Sequence, residues 1–343
     1  MNTFYTGDAL KILEILPSES VHCCVTSPPF WRLRDYGVEG QLGLEKTPEE
    51  YVNNLVTVLR EARRVLRNDG TLFLNLGDSY ANSTGGIGNN PSSKSTLTTN
   101  NGKGPKPGNK YAPGNEGKPV KLKHGLKPKD LVGIPWMVAF ALRTDGWYLR
   151  SEIIWEKPNA MPESVKDRPT RSHEYIFLLS KSRKYYYDAD AIKEPAKEWK
   201  GQAGTFERDH GKATLLEIPG QKCVSHRSNR KQREPVKRGG FNGKTNALLG
   251  REAFRAIVPM RNKRSVWTIN TKAFTGAHFA VFPPDLVKPC ILAGCPVGGQ
   301  VLDPFGGSGT VAMVAAELGR DSIYIDLKPE YVEMAKKRTL SLF

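Results

Sequence analysis

Apolar and polar positions sort this chain into short apolar runs and helical stripes, interrupted twice by long stretches that carry neither. Val21–Thr26 is a compact apolar run that stops at Ser27-Pro28-Pro29, the pattern of a buried strand opening into a loop. After Thr47-Pro48, apolar residues recur at helical spacing through Tyr51, Leu55, Val58, Leu59, Ala62, Val65 and Leu66. Gly70 then stands where a left-handed residue would close that helix. A second strand is predicted over 71–76, a helix near 130–143 closed by Gly146, and strands over 148–155 and 174–179. Towards the C-terminus the pattern predicts a helix at 283–292, a strand at 300–302, a helix at 311–318, a strand at 322–325 and a helix at 331–339. Strands alternating with helices specify an α/β fold, here a doubly wound, mostly parallel sheet with helices on both faces.

The two interruptions differ from this scaffold in composition. Residues 82–129 are dense in Gly, Asn, Ser, Pro and Lys, too poor in large apolar side chains to offset ordering entropy, and read as a long mobile loop. Residues 190–266 are polar, basic and weakly periodic, and read as a module inserted outside the sheet. Charge follows the same division. The chain carries 51 basic and 35 acidic residues, net +16. Twenty-one basic residues face nine acidic ones between Lys181 and Arg264, and nine face two between Ala81 and Asp130, so the remainder is slightly acidic. Two basic segments on a near-neutral scaffold point to a polyanion, with nucleic acid the leading candidate.

Other classes recede. No apolar run approaches the roughly 18–20 residues of a membrane span, and the N-terminus lacks the apolar core of a signal peptide, so no membrane partner is expected. The five cysteines form no CxxC pair and share no ligand spacing with the six histidines, which fits reduced thiols in a cytoplasm and no metal site.

Two motifs carry chemistry. The first is the Gly-rich turn 303–310, Asp-Pro-Phe-Gly-Gly-Ser-Gly-Thr, between a predicted strand and helix, followed at the end of the next strand by Asp326. Glycines alone could mark a tight structural turn. With strand, loop, helix, strand and acid in register, they read as a ligand site at the carboxyl edge of the sheet, where Asp326 can accept from both hydroxyls of a ribose. No Gly-Lys-Ser/Thr or GxGxxG spacing is present, and Asp303 at the strand tip would repel a pyrophosphate while attracting an ammonium group. A ligand with a ribose and an ammonium but no phosphate satisfies both acids; S-adenosylmethionine is one.

The second motif is Ser27-Pro28-Pro29-Phe30. Its prolines remove two backbone donors and leave carbonyls that only accept. An acceptor-rich loop suits an exocyclic base amine: the Ser27 hydroxyl and the Pro28 carbonyl can take its protons and free its lone pair, while Phe30 offers a face to a base swung out of a duplex.

Together these residues resemble the beta class of DNA amino-methyltransferases, the permuted N4-cytosine and N6-adenine family, in which the catalytic tetrapeptide comes first and the cofactor turn last. The resemblance implies a Rossmann-like fold, S-adenosylmethionine as cofactor and double-stranded DNA as substrate. A cognate restriction endonuclease would be a possible companion, and a bacterial or phage origin is implied. By the same resemblance Gly7, Asp8 and Ala9 hold the cofactor adenine, with Asp8 taking its amine. His278, Phe282 and Pro283 belong to a segment covering the methionine end, where Phe279 replaces a frequent proline. Asp303, Phe305, Gly306, Gly307, Ser308, Gly309 and Thr310 form the methionine-binding turn, and Asp326 binds ribose. Asn75 stands where some relatives have an acid, which puts a proton relay there in doubt.

Residues 1–189 would then be the catalytic half, 190–266 the target-recognition module and 267–343 the cofactor half. Serine at the head of the tetrapeptide resembles the cytosine-N4 branch, with adenine-N6 the alternative. RNA or protein amide methylation usually places the cofactor turn first, and a non-catalytic DNA-binding protein would not need the turn with Asp326. Cytosine C5 chemistry needs a thiolate, and Cys290 falls on a predicted helix outside any catalytic loop. Glu174 is expected to orient Arg168 or Arg171, and Tyr185–Tyr187 to pack in a strand. Trp31, Arg32 and Arg34 either touch the extruded strand or pack the loop.

Overall fold

The computed structural model describes residues 2–81, 125–196, 260–272 and 282–340. Eight strands form one sheet: β1 (Asn2–Thr6), β2 (Val21–Thr26), β3 (Leu66–Leu76), β4 (Tyr148–Glu156), β5 (His173–Ser180), β8 (Val266–Thr268), β9 (Gln300–Asp303) and β10 (Asp321–Asp326). Their spatial order is β1-β10-β9-β2-β3-β5-β4-β8. The first five in that order run parallel, β5 is antiparallel to both its neighbours, and β8 is parallel to β4. The remaining strands, β6 (Glu194–Pro195) and β7 (Met260–Arg261), pair with each other in an antiparallel ladder. The helices are α1 (Ala9–Ile15), α2 (Pro48–Val65), α3 (Ile134–Thr144), α4 (Pro284–Gly294), α5 (Thr310–Glu317) and α6 (Pro329–Leu340).

Side chains of the central strands alternate between two apolar layers, as the period-two geometry of a strand requires. Cys24, Leu72, Leu74 and Leu76 pack with α1, α2 and α3 through Leu13, Leu55, Leu59, Val138 and Leu142. Cys23, Val25 and Phe73 pack on the opposite face with α4 and α5 through Leu286, Val287, Ile291, Val311 and Val314. The sheet is therefore wound on both faces, as the alternation of patterns predicts.

Local chemistry sets the ends. Thr47 accepts from the Glu50 amide at 3.0 Å while the Glu50 carboxylate reaches back to the Thr47 amide, a capping box that starts α2 with Pro48 in its first turn. Gly70 does not close this helix: α2 ends at Val65 with Leu66 already extended, and Gly70 lies inside β3, where a Cβ would meet the Arg67 carbonyl at 3.0 Å. The helix expected from residue 130 begins at Ile134, because Gly133 is left-handed and the Asp78 carboxylate accepts from the amides of Gly133 and Ile134 at 2.9 and 3.1 Å.

Three further expectations change. Tyr185–Tyr187 lie after β5, outside any strand, with the Tyr186 amide donating to the Asp69 carbonyl. Residues 82–124 of the expected loop lie outside the described residues, while its end is tied down. The amides of Ala81 and Lys129 donate to the carbonyls of Asp130 and Ala81, each at 2.8 Å, and Tyr80 bridges Leu131. Val266, expected in the inserted module, belongs to the sheet. By internal contacts the chain divides into a larger unit, Met1–Lys193 with Asn262–Phe343, and a smaller one, Glu194–Arg261. Most of the basic stretch, 197–259, lies outside the described residues.

Candidate active site

Five parallel strands end at one edge, and both motifs sit on those ends. A cavity of about 330 Å³ opens there, within the range of roughly 300–1,000 Å³ of small-molecule sites. Ser27 to Phe30, Asp303, Phe305 to Ser308, Thr310 and Asp326 all line it. So do Asp8, Ala9 and Phe282. Asp8 also caps α1, its Oδ1 accepting from the Lys11 amide at 3.0 Å. Pro283 is the residue before α4 and Gly309 the residue before α5; neither lines the cavity. His278 and Phe279 lie outside the described residues.

The turn is shaped by close approach. A Cβ on Gly306 would sit 2.1 Å from the ring of Tyr324, and one on Gly309, left-handed at φ 78°, 2.5 Å from the Ala335 methyl. Tyr324 is buried and its hydroxyl donates to the Gly307 carbonyl at 2.6 Å, so the ring cannot yield without undoing the turn. Gly306→Ala should therefore cost about 1–3 kcal/mol of stability by overpacking. Thermal unfolding reads this as a lowered midpoint; an unchanged midpoint would show that Tyr324 does not hold the turn.

Of the three aspartates that line the cavity, two stand at the ends of strands. Asp303 is buried; its Oδ1 accepts from the Thr26 hydroxyl at 2.7 Å and from the Phe305 amide at 3.2 Å. Burial pushes its pKa up to about 7, against the lowering effect of those two donors. Asp326 accepts from the amides of Gly307 and Lys328, each at 2.8 Å, and burial raises its pKa as well. Among the described residues no cation lies within ion-pair distance of Asp303. A dry carboxylate short of a counter-charge is suited to receive a cationic group, and Asp326 keeps acceptor capacity for hydroxyls. The donor set fits S-adenosylmethionine.

Across the cavity, the Ser27 hydroxyl donates to Asn75 Oδ1 at 2.9 Å. The Pro29 carbonyl is taken by the Tyr51 hydroxyl at 2.9 Å, and among the described residues nothing donates to the Pro28 carbonyl. Phe30 lies against Gly77, where a Cβ would meet its ring at 2.5 Å. The arrangement can hold a cation beside an amine whose protons are accepted at Ser27 and Pro28.

A family model for DNA methylases of the N6/N4 type matches residues 21–337. The type II methyltransferase M.Cfr9I of Citrobacter freundii is 45% identical over 336 residues, 98% of this chain and 87% of the relative. The chain belongs to the N6/N4 DNA methylase family. Among solved structures, the PvuII cytosine-N4-specific DNA methyltransferase aligns over 98% of this chain and 87% of its own, with a TM-score of 0.57 at 18% identity. A DNA modification methylase from Thermus thermophilus, complexed with S-adenosyl-L-methionine, aligns over 99% and 94% with a TM-score of 0.54 at 21% identity. Both likenesses bear on the fold, which is the Rossmann-like one.

The cavity has further lining residues, of which the sequence had singled out only Arg34. Leu33, Arg34, Tyr36, Val38, Gln41 and Leu42 line the cavity from the loop after the tetrapeptide. Lys328 Nζ donates to the Tyr36 carbonyl at 2.9 Å, tying that loop to the residues after β10. Gly37, Gly40 and Gly43, all at positive φ, were the available signal. Trp31 packs the loop, buried and donating to the Glu45 carbonyl at 3.0 Å. Glu174 orients neither arginine: it pairs with Lys157 and accepts from Asn75, while Arg168 pairs with Glu163 at 2.6 Å. Cys290 is buried on α4, with its thiol directed at the Leu286 carbonyl and its pKa raised by burial, which disqualifies it as a C5 nucleophile.

Proposed function

We propose that this methylase transfers a methyl group from S-adenosylmethionine to the exocyclic N4 of cytosine in double-stranded DNA. The observation that carries the reading is the shared cavity, which puts the acceptors of Ser27-Pro28 and the carboxylate of Asp303 around one space. S-adenosylmethionine, when bound, supplies an electrophilic methyl on a sulfonium. Asp303 holds the ammonium end and Asp326 accepts from the ribose hydroxyls. The turn from Phe305 to Thr310 seats the methionine chain, Asp8 and Ala9 face the adenine, and Phe282 and Pro283 flank the methionine end.

A base flipped from the duplex stacks on Phe30, and its amine donates to Ser27 Oγ and the Pro28 carbonyl. Those bonds draw the nitrogen towards tetrahedral geometry and localise its lone pair. With the methyl taken by the nitrogen and the carbon–sulfur pair left on the donor, the surplus proton of the nitrogen would pass to water, while Ser27 Oγ and the Pro28 carbonyl hold the amine by accepting from it. Neither a metal nor a covalent intermediate is required.

The serine at position 27 favours cytosine over adenine. The basic stretch within Glu194–Arg261 is proposed to read the target, and the likeness to type II methyltransferases supports a companion restriction endonuclease. Nucleoside mass spectrometry of DNA incubated with the protein and S-adenosylmethionine tests the reading. N4-methylcytosine is expected. N6-methyladenine would leave the pocket and mechanism but overturn the choice of base, and no methylated nucleoside on DNA of varied sequence would redirect attention to RNA or protein.

A further inference from the structure

Behind Ser27 a chain of polar side chains runs across three strands. Asn75 on β3 is buried at 1% exposure, and its Nδ2 donates to Glu174 Oε2 and to the Tyr175 carbonyl, both at 3.1 Å. Both of those partners are acceptors only, so the orientation of the amide is forced and Oδ1 must face Ser27. Glu174 is in turn held by the Lys157 ammonium, which itself lies over the Trp155 ring at 4.2 Å. Lys157 and Glu174 are each 18% exposed, so the pair is largely withdrawn from water.

Every bond in this chain has only one possible direction, and all converge on the Glu174 carboxylate. Lys157 can only donate, the Glu174 carboxylate can only accept, and Asn75 therefore offers its oxygen to the Ser27 hydroxyl. The Ser27 proton is committed to Asn75 at 2.9 Å, and Oγ, on a residue that lines the cavity, keeps its lone pairs free of any donor among the described residues.

We infer that Glu174 is a positioning residue for methyl transfer: through Asn75 it fixes the direction of the Ser27 hydroxyl so that Oγ can only accept from the target amine. This rests on the proposed role of Ser27. An amide passes orientation but not protons, so the chain sets polarity and is no relay.

Glu174→Gln is nearly isosteric and reverses the chain. Lys157 keeps the Gln oxygen, the Gln amide nitrogen then faces Asn75, and Asn75 can accept from it only by turning its own Nδ2 towards Ser27 and giving up the Tyr175 carbonyl, so in either orientation the fixed polarity of the chain is lost. The serine oxygen would then accept from Asn75 in competition with the substrate.

The test is single-turnover methylation of DNA by the full-length wild type, Ser27→Ala, Glu174→Gln and the double variant, with cofactor and DNA affinities measured alongside. Glu174→Gln should lower the rate by ~10-fold, the scale of one hydrogen bond to a charged centre, with both affinities held within about twofold. In the Ser27→Ala background the same change should cost nothing further. Asn75→Leu, which deletes the acceptor from the other end, should show the same non-additivity even if Glu174→Gln folds poorly. Equal losses with and without Ser27 would overturn the inference, as would a full rate in Glu174→Gln. A full rate in Ser27→Ala alone would remove the role of Ser27 and the inference with it, whereas a slow Ser27→Ala beside a fast Glu174→Gln would remove only the inference.

Discussion

Replacing Asp303 by alanine should weaken binding of S-adenosylmethionine by ~30- to ~5,000-fold, the largest single effect expected of any substitution in this chain. The carboxylate sits at the tip of β9, buried, and among the described residues its hydrogen-bond partners are the Thr26 hydroxyl and the Phe305 amide. An ammonium placed against it would be a desolvated charge pair. Truncating one member of such a pair leaves the other buried and unmatched, which costs about 2–5 kcal/mol, or ~30- to ~5,000-fold in affinity. Calorimetric titration of the variant reads this directly. Retention of wild-type affinity would move the ammonium site elsewhere in the cavity.

The same residue makes cofactor affinity depend on pH with a definite sign. Burial pushes the Asp303 pKa up to about 7 before the cofactor arrives, so below that pH the group is a neutral acid. Binding an ammonium requires the carboxylate. Affinity should therefore fall by ~10-fold for each pH unit below about 7 and level off above it. Stability without cofactor should move the other way. The unfolded chain ionises this group from pH ~4, while the folded chain keeps the proton to about 7, so the stability contributed by the neutral acid declines as pH rises between those values and is flat beyond. Asp303→Asn should flatten both curves. A cofactor affinity independent of pH from 5 to 8 in the wild type would show that Asp303 carries no part of the binding.

Most of the sheet was legible because each strand is either a short apolar run or an alternating one, and the two layers of helices follow from which residues point where. Val21–Thr26 and the 300–302 run read cleanly for that reason. Gly70 misled because a glycine after an apolar stripe is equally consistent with a helix stop and with a strand that passes close to its own backbone; only the extended Leu66 decides between them. In the site, the tetrapeptide and the acidic turn were visible as local strings. Of the loop that follows, Arg34 was noticed with its role left open, but Tyr36, Val38 and Gln41 were not, since the cavity-lining residues share no period and the loop is tied through the Tyr36 carbonyl to Lys328, almost three hundred residues away in sequence. Glu174 was misassigned for a related reason. Its charge was obvious, but Arg168, Arg171 and Lys157 were all near in sequence, and the antiparallel pairing of β4 with β5 is what brings Lys157 to it.

Ser27→Ala should slow methyl transfer by ~10- to ~150-fold while leaving DNA and cofactor affinities within about twofold. The bond lost is one from an amine that becomes positively charged as it is methylated. It therefore strengthens along the reaction, and hydrogen bonds to charged groups are worth ~1.5–3 kcal/mol. An interaction made mainly in the transition state lowers the rate without weakening ground-state binding. The Pro28 carbonyl remains in the variant as the second acceptor, which is why residual turnover is expected. Stability should change little, because Ser27 is only half-buried and the Asn75 amide keeps its two partners on β5. Single-turnover rates at saturating cofactor and DNA separate chemistry from binding. An unchanged rate would leave Pro28 as the sole acceptor for the amine. A lost rate accompanied by lost DNA affinity would place Ser27 in binding the flipped base and not in polarising it.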